Sequence, residues 1–141
     1  MNNKIAIENP MPSVLIETRC QRSPLDESAM IDAVHRALVH AFQIPMRDRN
    51  IRLVAHDPHR FACPPDKAEP ALFTYIAIDA FAGRSMEAKR TLYKTIVQNL
   101  SALDIPADHI TIVLREIPPM DWGIRGGQAA CDIDLGFKIA V

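Results

Sequence analysis

Residues 72–114 read LFTYIAIDAFAGRSMEAKRTLYKTIVQNLSALDIPADHITIVL, and this stretch decides the fold. Leu72–Phe81 is an apolar run rich in aromatic and β-branched residues, which predicts a strand. Ser85 is placed to cap a helix whose apolar face is Leu92, Ile96, Val97, Leu100 and Leu103. Ile105-Pro106 ends that helix, because the residue before a proline is pushed out of the α region. Ile110–Leu114 then predicts a closing strand.

The same order stands upstream. Ser13–Glu17 (SVLIE) predicts a strand, and Ser23 a helix N-cap with Pro24 at the first helical position, where its missing N–H is no loss. Met30, Ile31, Val34, Leu38 and Phe42 follow at helical spacing, Ile44-Pro45 closes the helix, and Ile51–Val54 predicts the next strand. Arg22-Ser23 recurs as Arg84-Ser85 at an offset of 62, and Ile44-Pro45 recurs as Ile105-Pro106 at an offset of 61. Asp48 and Asp108 each precede the second strand of their half. A repeat of this kind predicts an α/β (α+β) fold of two tandem β-α-β units, a four-stranded sheet with two helices on one face. A ferredoxin-like β-α-β-β-α-β domain would give nearly the same string.

The regions outside the repeat refine this expectation. The Pro-rich stretch from His56 to Pro70 is too long for a hairpin and predicts a loop crossing between the halves. After the fourth strand, Gly126-Gly127 signals a turn, and Cys131–Ile139 (CDIDLGFKI) alternates well enough for a small strand. A C-terminal β-hairpin arm is therefore expected, suited to pairing with a neighbouring subunit's sheet edge. The expected organisation is an N-terminal extension over residues 1–11 and one domain over 12–141, with repeat halves at about 12–56 and 72–116.

Composition excludes several functional classes. The chain has 141 residues, 48% of them hydrophobic, with 16 basic and 17 acidic side chains and a formal net charge of −1. That balance lacks the basic footprint of a nucleic-acid binder, and 6% aromatics offer few stacking platforms. No apolar run approaches the roughly 20 residues of a membrane span. The opening MNNKIAIENP lacks a signal peptide's apolar region. Cys20, Cys63 and Cys131 are odd in number and widely spaced, so neither a disulfide framework nor a Cys-x-x-Cys site is expected, and a cytoplasmic location is.

An ordered set of features now resembles a known family. The duplicated unit, Met11-Pro12 opening the first strand, Pro45-Met46-Arg47-Asp48-Arg49 after the first helix, Gly83-Arg84-Ser85 after the third strand, and Trp122-Gly123 near the end resemble the tautomerase superfamily. The likeness is to the 4-oxalocrotonate tautomerase group and its malonate semialdehyde decarboxylase-like branch, over about residues 11–141. The resemblance implies a homotrimer, no metal or cofactor, and an enzyme that isomerises, decarboxylates or hydrates a small 2-oxo or 3-oxo carboxylic acid.

The family's acid–base group is an amino-terminal proline, a secondary amine whose pKa is lowered by burial and nearby cations. Pro12 matches it. Eleven residues precede Pro12, and an interior proline nitrogen is an amide without basicity; initiation at Met11 followed by loss of that methionine would free the amine. The alternative expectation is a non-catalytic homologue in which the extension masks the proline, with Lys4–Glu8 (KIAIE) as an extra edge strand. The resemblance also implies that Asp48 assists the proline and that Arg84 anchors the substrate carboxylate. A bidentate guanidinium fork suits that anchoring role. The family's second arginine is replaced by Ala82. Arg49 is expected to add positive charge at the mouth, and Trp122 and Ile124 to form an apolar pocket wall.

Other signals point to ordinary structure. His56 and His59 in the Pro-rich loop lack the further ligands that zinc requires. His35 and His40 are five apart on the first helix and do not share a face.

Overall fold

The computed structural model describes residues 12–135 and Val141. The expected Lys4–Glu8 edge strand, Met11, and most of the second half of the Cys131–Ile139 segment lie outside the described residues.

The chain order is β1 (Ser13–Thr18), α1 (Pro24–Phe42), β2 (Ile51–Ala55), β3 (Thr74–Phe81), α2 (Met86–Ser101) and β4 (Ile110–Ile117). A small hairpin, β5 (Gly123–Ile124) and β6 (Gln128–Ala129), follows. The four-stranded sheet has the order β2-β1-β3-β4. β1 pairs with β2 in parallel, as β3 does with β4, and the two halves join through antiparallel β1 and β3. Direct β1–β2 pairing excludes the ferredoxin-like alternative, in which the two parallel strands of each half are held apart.

Both helices are capped as their sequences dictate. The Ser23 hydroxyl accepts from the Asp26 N–H at 3.1 Å, and the Ser85 hydroxyl accepts from the Ala88 N–H at 3.1 Å. α1 ends at Gln43 in the left-handed region (φ 54°), just ahead of Ile44-Pro45.

Strand alternation sends Val14, Ile16, Ile76, Ile78 and Ala80 to one face of the sheet. There they form one core with Met30, Val34, Leu38 and Phe42 of α1 and Leu92, Ile96 and Leu100 of α2. Each fully buried aliphatic side chain contributes about 1.5–3 kcal/mol, so this face organises the whole unit.

Three expectations are corrected. Leu103 lies beyond α2, 38% exposed, and Ile105 fills the core in its place. Leu72 belongs to a 3₁₀ turn (Pro70–Leu72) that precedes β3, opened by Pro70, whose fixed φ suits the first position of such a turn. Cys131 and Asp132 belong to another 3₁₀ turn (Ala130–Asp132), and the hairpin forms earlier, around Arg125-Gly126-Gly127. All three of these turn residues have positive φ, at 50°, 80° and 92°, which two glycines adopt at little cost.

The Pro-rich loop is fastened across the sheet end where β1 finishes and β3 begins. Arg19 donates to three of its carbonyls, those of Phe61 (2.5 Å), Pro70 (2.8 Å) and Pro58 (3.2 Å). Buried His109 holds its other end: Nε2 accepts from the Glu69 N–H at 3.1 Å, while Nδ1 sits 2.7 Å from an Asp108 carboxylate oxygen. That hydrogen bond keeps the Asp108 carboxyl below the usual carboxylate range.

Candidate active site

Strand direction alone gathers most of the expected residues. β1 and β2 begin, and β3 and β4 finish, at the same end of the sheet. Pro12 immediately precedes β1, Asp48 precedes β2, Arg84 follows β3 and Trp122 follows β4. Residues far apart in sequence therefore lie at one end of the sheet, opposite the loop fastened by Arg19.

Pro12 is buried at this end, and Ser13 beside it pairs with Asp79 of the neighbouring β3. Asp48 is 4% exposed, in a turn where its main-chain N–H donates to the Pro45 carbonyl at 3.0 Å. The turn leads into Asn50, whose carbonyl accepts from the Val14 N–H at 3.0 Å, so the Asp48 segment is tied to the start of β1.

Arg84 is the unusual member. Gly83 (φ 132°) turns the chain after β3 in a conformation few other residues adopt, and Arg84 then folds back beneath the strand end. Its Nη1 donates to the Phe81 carbonyl at 3.2 Å, and its guanidinium carbon lies 4.7 Å from the centre of the Phe42 ring. The residue is only 7% exposed, yet Nε and Nη2 have no hydrogen-bond partner among the described residues. Burial pushes its pKa down to about 10, and the negative charge of Glu116 offsets part of that shift. Glu116 in turn pairs with Lys89 of α2. A buried cation is a demanding group, and a guanidinium fork is geometrically matched to a carboxylate.

An apolar wall adjoins it. Phe81, Ile124 and Ala130 form a second small core, with Trp122, Ile133 and Leu135 packed against it. The Phe81 and Trp122 rings meet edge to face, 5.9 Å apart. Trp122 and Ile124 thus lie beside Phe81, the residue whose carbonyl holds Arg84. The indole Nε1 is buried and has no hydrogen-bond partner among the described residues.

Arg49 is placed differently from the other expected residues, its guanidinium paired with Asp32 on α1. That pairing holds the Asp32 carboxyl below its ordinary range. Two contributors escaped sequence reading. Phe42 looked like one more apolar helix position, and its role under Arg84 depends on how α1 lies against β3. Glu116, at a strand end, gave no signal of its own.

The comparisons with known proteins point the same way. The family described as tautomerase enzyme matches residues 48–125. A probable tautomerase of Ralstonia nicotianae is 31% identical over 52 residues, which cover 36% of this chain and 74% of that protein. A crystal structure of a malonate semialdehyde decarboxylase inhibited by 3-bromopropiolate is 31% identical, with a TM-score of 0.76, over 84% of this chain and 92% of that one. A native fused 4-OT superposes with a TM-score of 0.77 at 24% identity, over 89% of this chain and all of that one (100%), which is a likeness of fold.

Proposed function

The chain belongs to the tautomerase family, and from that premise we propose that it is a cofactor-independent enzyme moving a proton within a small 2-oxo or 3-oxo carboxylic acid. The observation that carries this reading is Arg84, a buried guanidinium whose Nε and Nη2 have no partner among the described residues, at the sheet end where Pro12 and Asp48 also lie.

In this mechanism Arg84 anchors the substrate carboxylate. The free secondary amine of Pro12 takes the proton of the enol hydroxyl, and its ammonium then delivers a proton to the adjacent carbon, giving the ketone. Burial and the Arg84 cation both favour the neutral amine, which brings its pKa towards the working range. Asp48 polarises substrate or water beside the proline. Trp122 and Ile124 supply an apolar wall that excludes bulk water. With Ala82 beside it, Arg84 is a single-arginine clamp, which suits keto-enol tautomerisation better than decarboxylation. We further propose a homotrimer, the assembly named for fused 4-OT structures of the same fold, and a cytoplasmic setting consistent with three free cysteines.

A second reading has its own support. As long as residues 1–11 are attached, the Pro12 nitrogen is an amide and cannot act as a base, so the full chain would be a non-catalytic homologue.

The deciding experiment compares the full chain with a form beginning at Pro12 on an enol-pyruvate substrate. Turnover by the shorter form alone, lost in Pro12→Ala and reduced in Asp48→Asn, is the expected result. Inactivity of both forms, each shown to be folded, would overturn the enzymatic reading.

A further inference from the structure

The internal repeat duplicates the surroundings of Arg84 at the opposite end of the sheet. Arg22-Ser23 corresponds to Arg84-Ser85, and Leu103, Asp104 and Ile105 correspond to Phe42, Gln43 and Ile44. The backbone repeats as well. Gln43 and Asp104 both adopt left-handed conformations, with φ of 54° and 67°. The Arg84 guanidinium rests on Phe42, whereas the smaller Leu103 stands at the matching position, and a pocket of about 260 Å³ opens there.

Arg22, Asp26, Met30, Leu103, Asp104 and Ile105 line this pocket. Both terminal nitrogens of Arg22 are buried without a hydrogen-bond partner among the described residues. Asp26 and Asp104 are exposed at the same pocket, and neither enters an ion pair among the described residues. Glu27, the remaining carboxylate nearby, accepts from the Arg22 main-chain N–H at 3.3 Å.

We propose that this pocket binds a small zwitterion, an α-amino acid with a short uncharged side chain. The ligand carboxylate takes the two Arg22 nitrogens, the ammonium meets Asp26 and Asp104, and the side chain lies on Met30, Leu103 and Ile105. A simple carboxylate would satisfy Arg22 but face two uncompensated negative charges. A simple amine would meet the two carboxylates but also the guanidinium. Only a ligand carrying both charges answers all three groups. The positions corresponding to Pro12 are Phe73-Thr74, deep in the chain, so no amine is available and the pocket binds without catalysing. This assignment is independent of the reading of Pro12.

The test is a titration of the full chain with L-valine, followed by amide chemical shifts of residues 22 and 102–105. Isovalerate, which lacks the ammonium, and isobutylammonium, which lacks the carboxylate, are the controls. The expected result is saturable shifts with L-valine at millimolar concentrations, and binding about tenfold weaker for each control and for Arg22→Met. Asp104→Asn should weaken L-valine while leaving isovalerate no weaker, and its unliganded spectrum shows whether it is folded. Isovalerate binding as tightly as L-valine, an absence of shifts, or shifts confined to the Arg84 end would each overturn the proposal.

Discussion

The Arg84 guanidinium lies over the Phe42 ring, 4.7 Å from its centre. The contact joins the last residue of α1 to the turn after β3, and so couples the two repeat halves at the candidate site. The ring supplies a face that a buried cation can rest on without consuming its donors. Among the described residues Nε and Nη2 have no other partner.

Replacing that ring should loosen the anchor without touching the chemistry. Phe42→Leu keeps an apolar side chain of similar reach but removes a cation–π contact worth about 0.5–2 kcal/mol. We expect KM for a carboxylate substrate to rise by roughly two- to thirtyfold with kcat little changed. Steady-state kinetics on the form beginning at Pro12 reads both; an unchanged KM would mean the ring serves packing alone.

Removing the guanidinium should separate binding from stability. Arg84→Met deletes a buried charge, two of whose nitrogens have no partner among the described residues, and puts an apolar chain of similar length in its place, so thermal unfolding should stay level or move upward. Affinity for small carboxylates should fall by about 1.5–3 kcal/mol, the worth of hydrogen bonds to a charged group. Melting curves and inhibitor titration on one sample check both.

The depressed pKa of Arg84 gives this anchor an upper pH limit. Its folded value of about 10 lies below the ordinary guanidinium value, so the cation is complete well below pH 10 and is lost as pH rises through it. Carboxylate affinity should decline above about pH 10, and that decline should be missing in Arg84→Met. Stability moves in the opposite sense. From about pH 10 up to the ordinary guanidinium range the unfolded chain retains this proton while the folded chain has released it, so the Arg84 contribution to stability rises with pH across that window.

Arg19 should govern the Pro-rich loop at the far end of the sheet. One lysine ammonium cannot reproduce a fork that reaches the carbonyls of Phe61, Pro70 and Pro58. Arg19→Lys should speed proteolytic cleavage within residues 56–73 and destabilise the chain by about 1 kcal/mol. Cleavage at the wild-type rate would show that His109 holds the loop unaided.

The two caps offer a symmetric check on the repeat. Ser23→Ala and Ser85→Ala each remove one side-chain bond to a first-turn N–H and should each cost about 1 kcal/mol in denaturant unfolding.

Much of this architecture was legible in local chemistry. Serine caps, Ile-Pro stops and strand alternation act over a few residues, and their repetition specifies two β-α-β units. The site was legible only as a set of positions, because Pro12, Asp48, Arg84 and Trp122 stand at the matching ends of four separate elements. Leu103 and the Cys131 segment misled for a related reason. A continued period of 3.6 or 2 does not say where the chain turns away, and tight turns interrupted both patterns.

By itself the sequence determined the elements, their duplication and the residue types available for chemistry, since these follow from propensity, capping and periodicity. Tertiary structure alone decided which charges are paired and which are not. Arg49, Arg84 and Arg22 look alike in sequence, yet one is neutralised by Asp32 on α1, one is buried on Phe42, and one borders an open pocket. The difference arises from burial and from partners brought together across the fold, which desolvate one cation and satisfy another, and no local pattern encodes that.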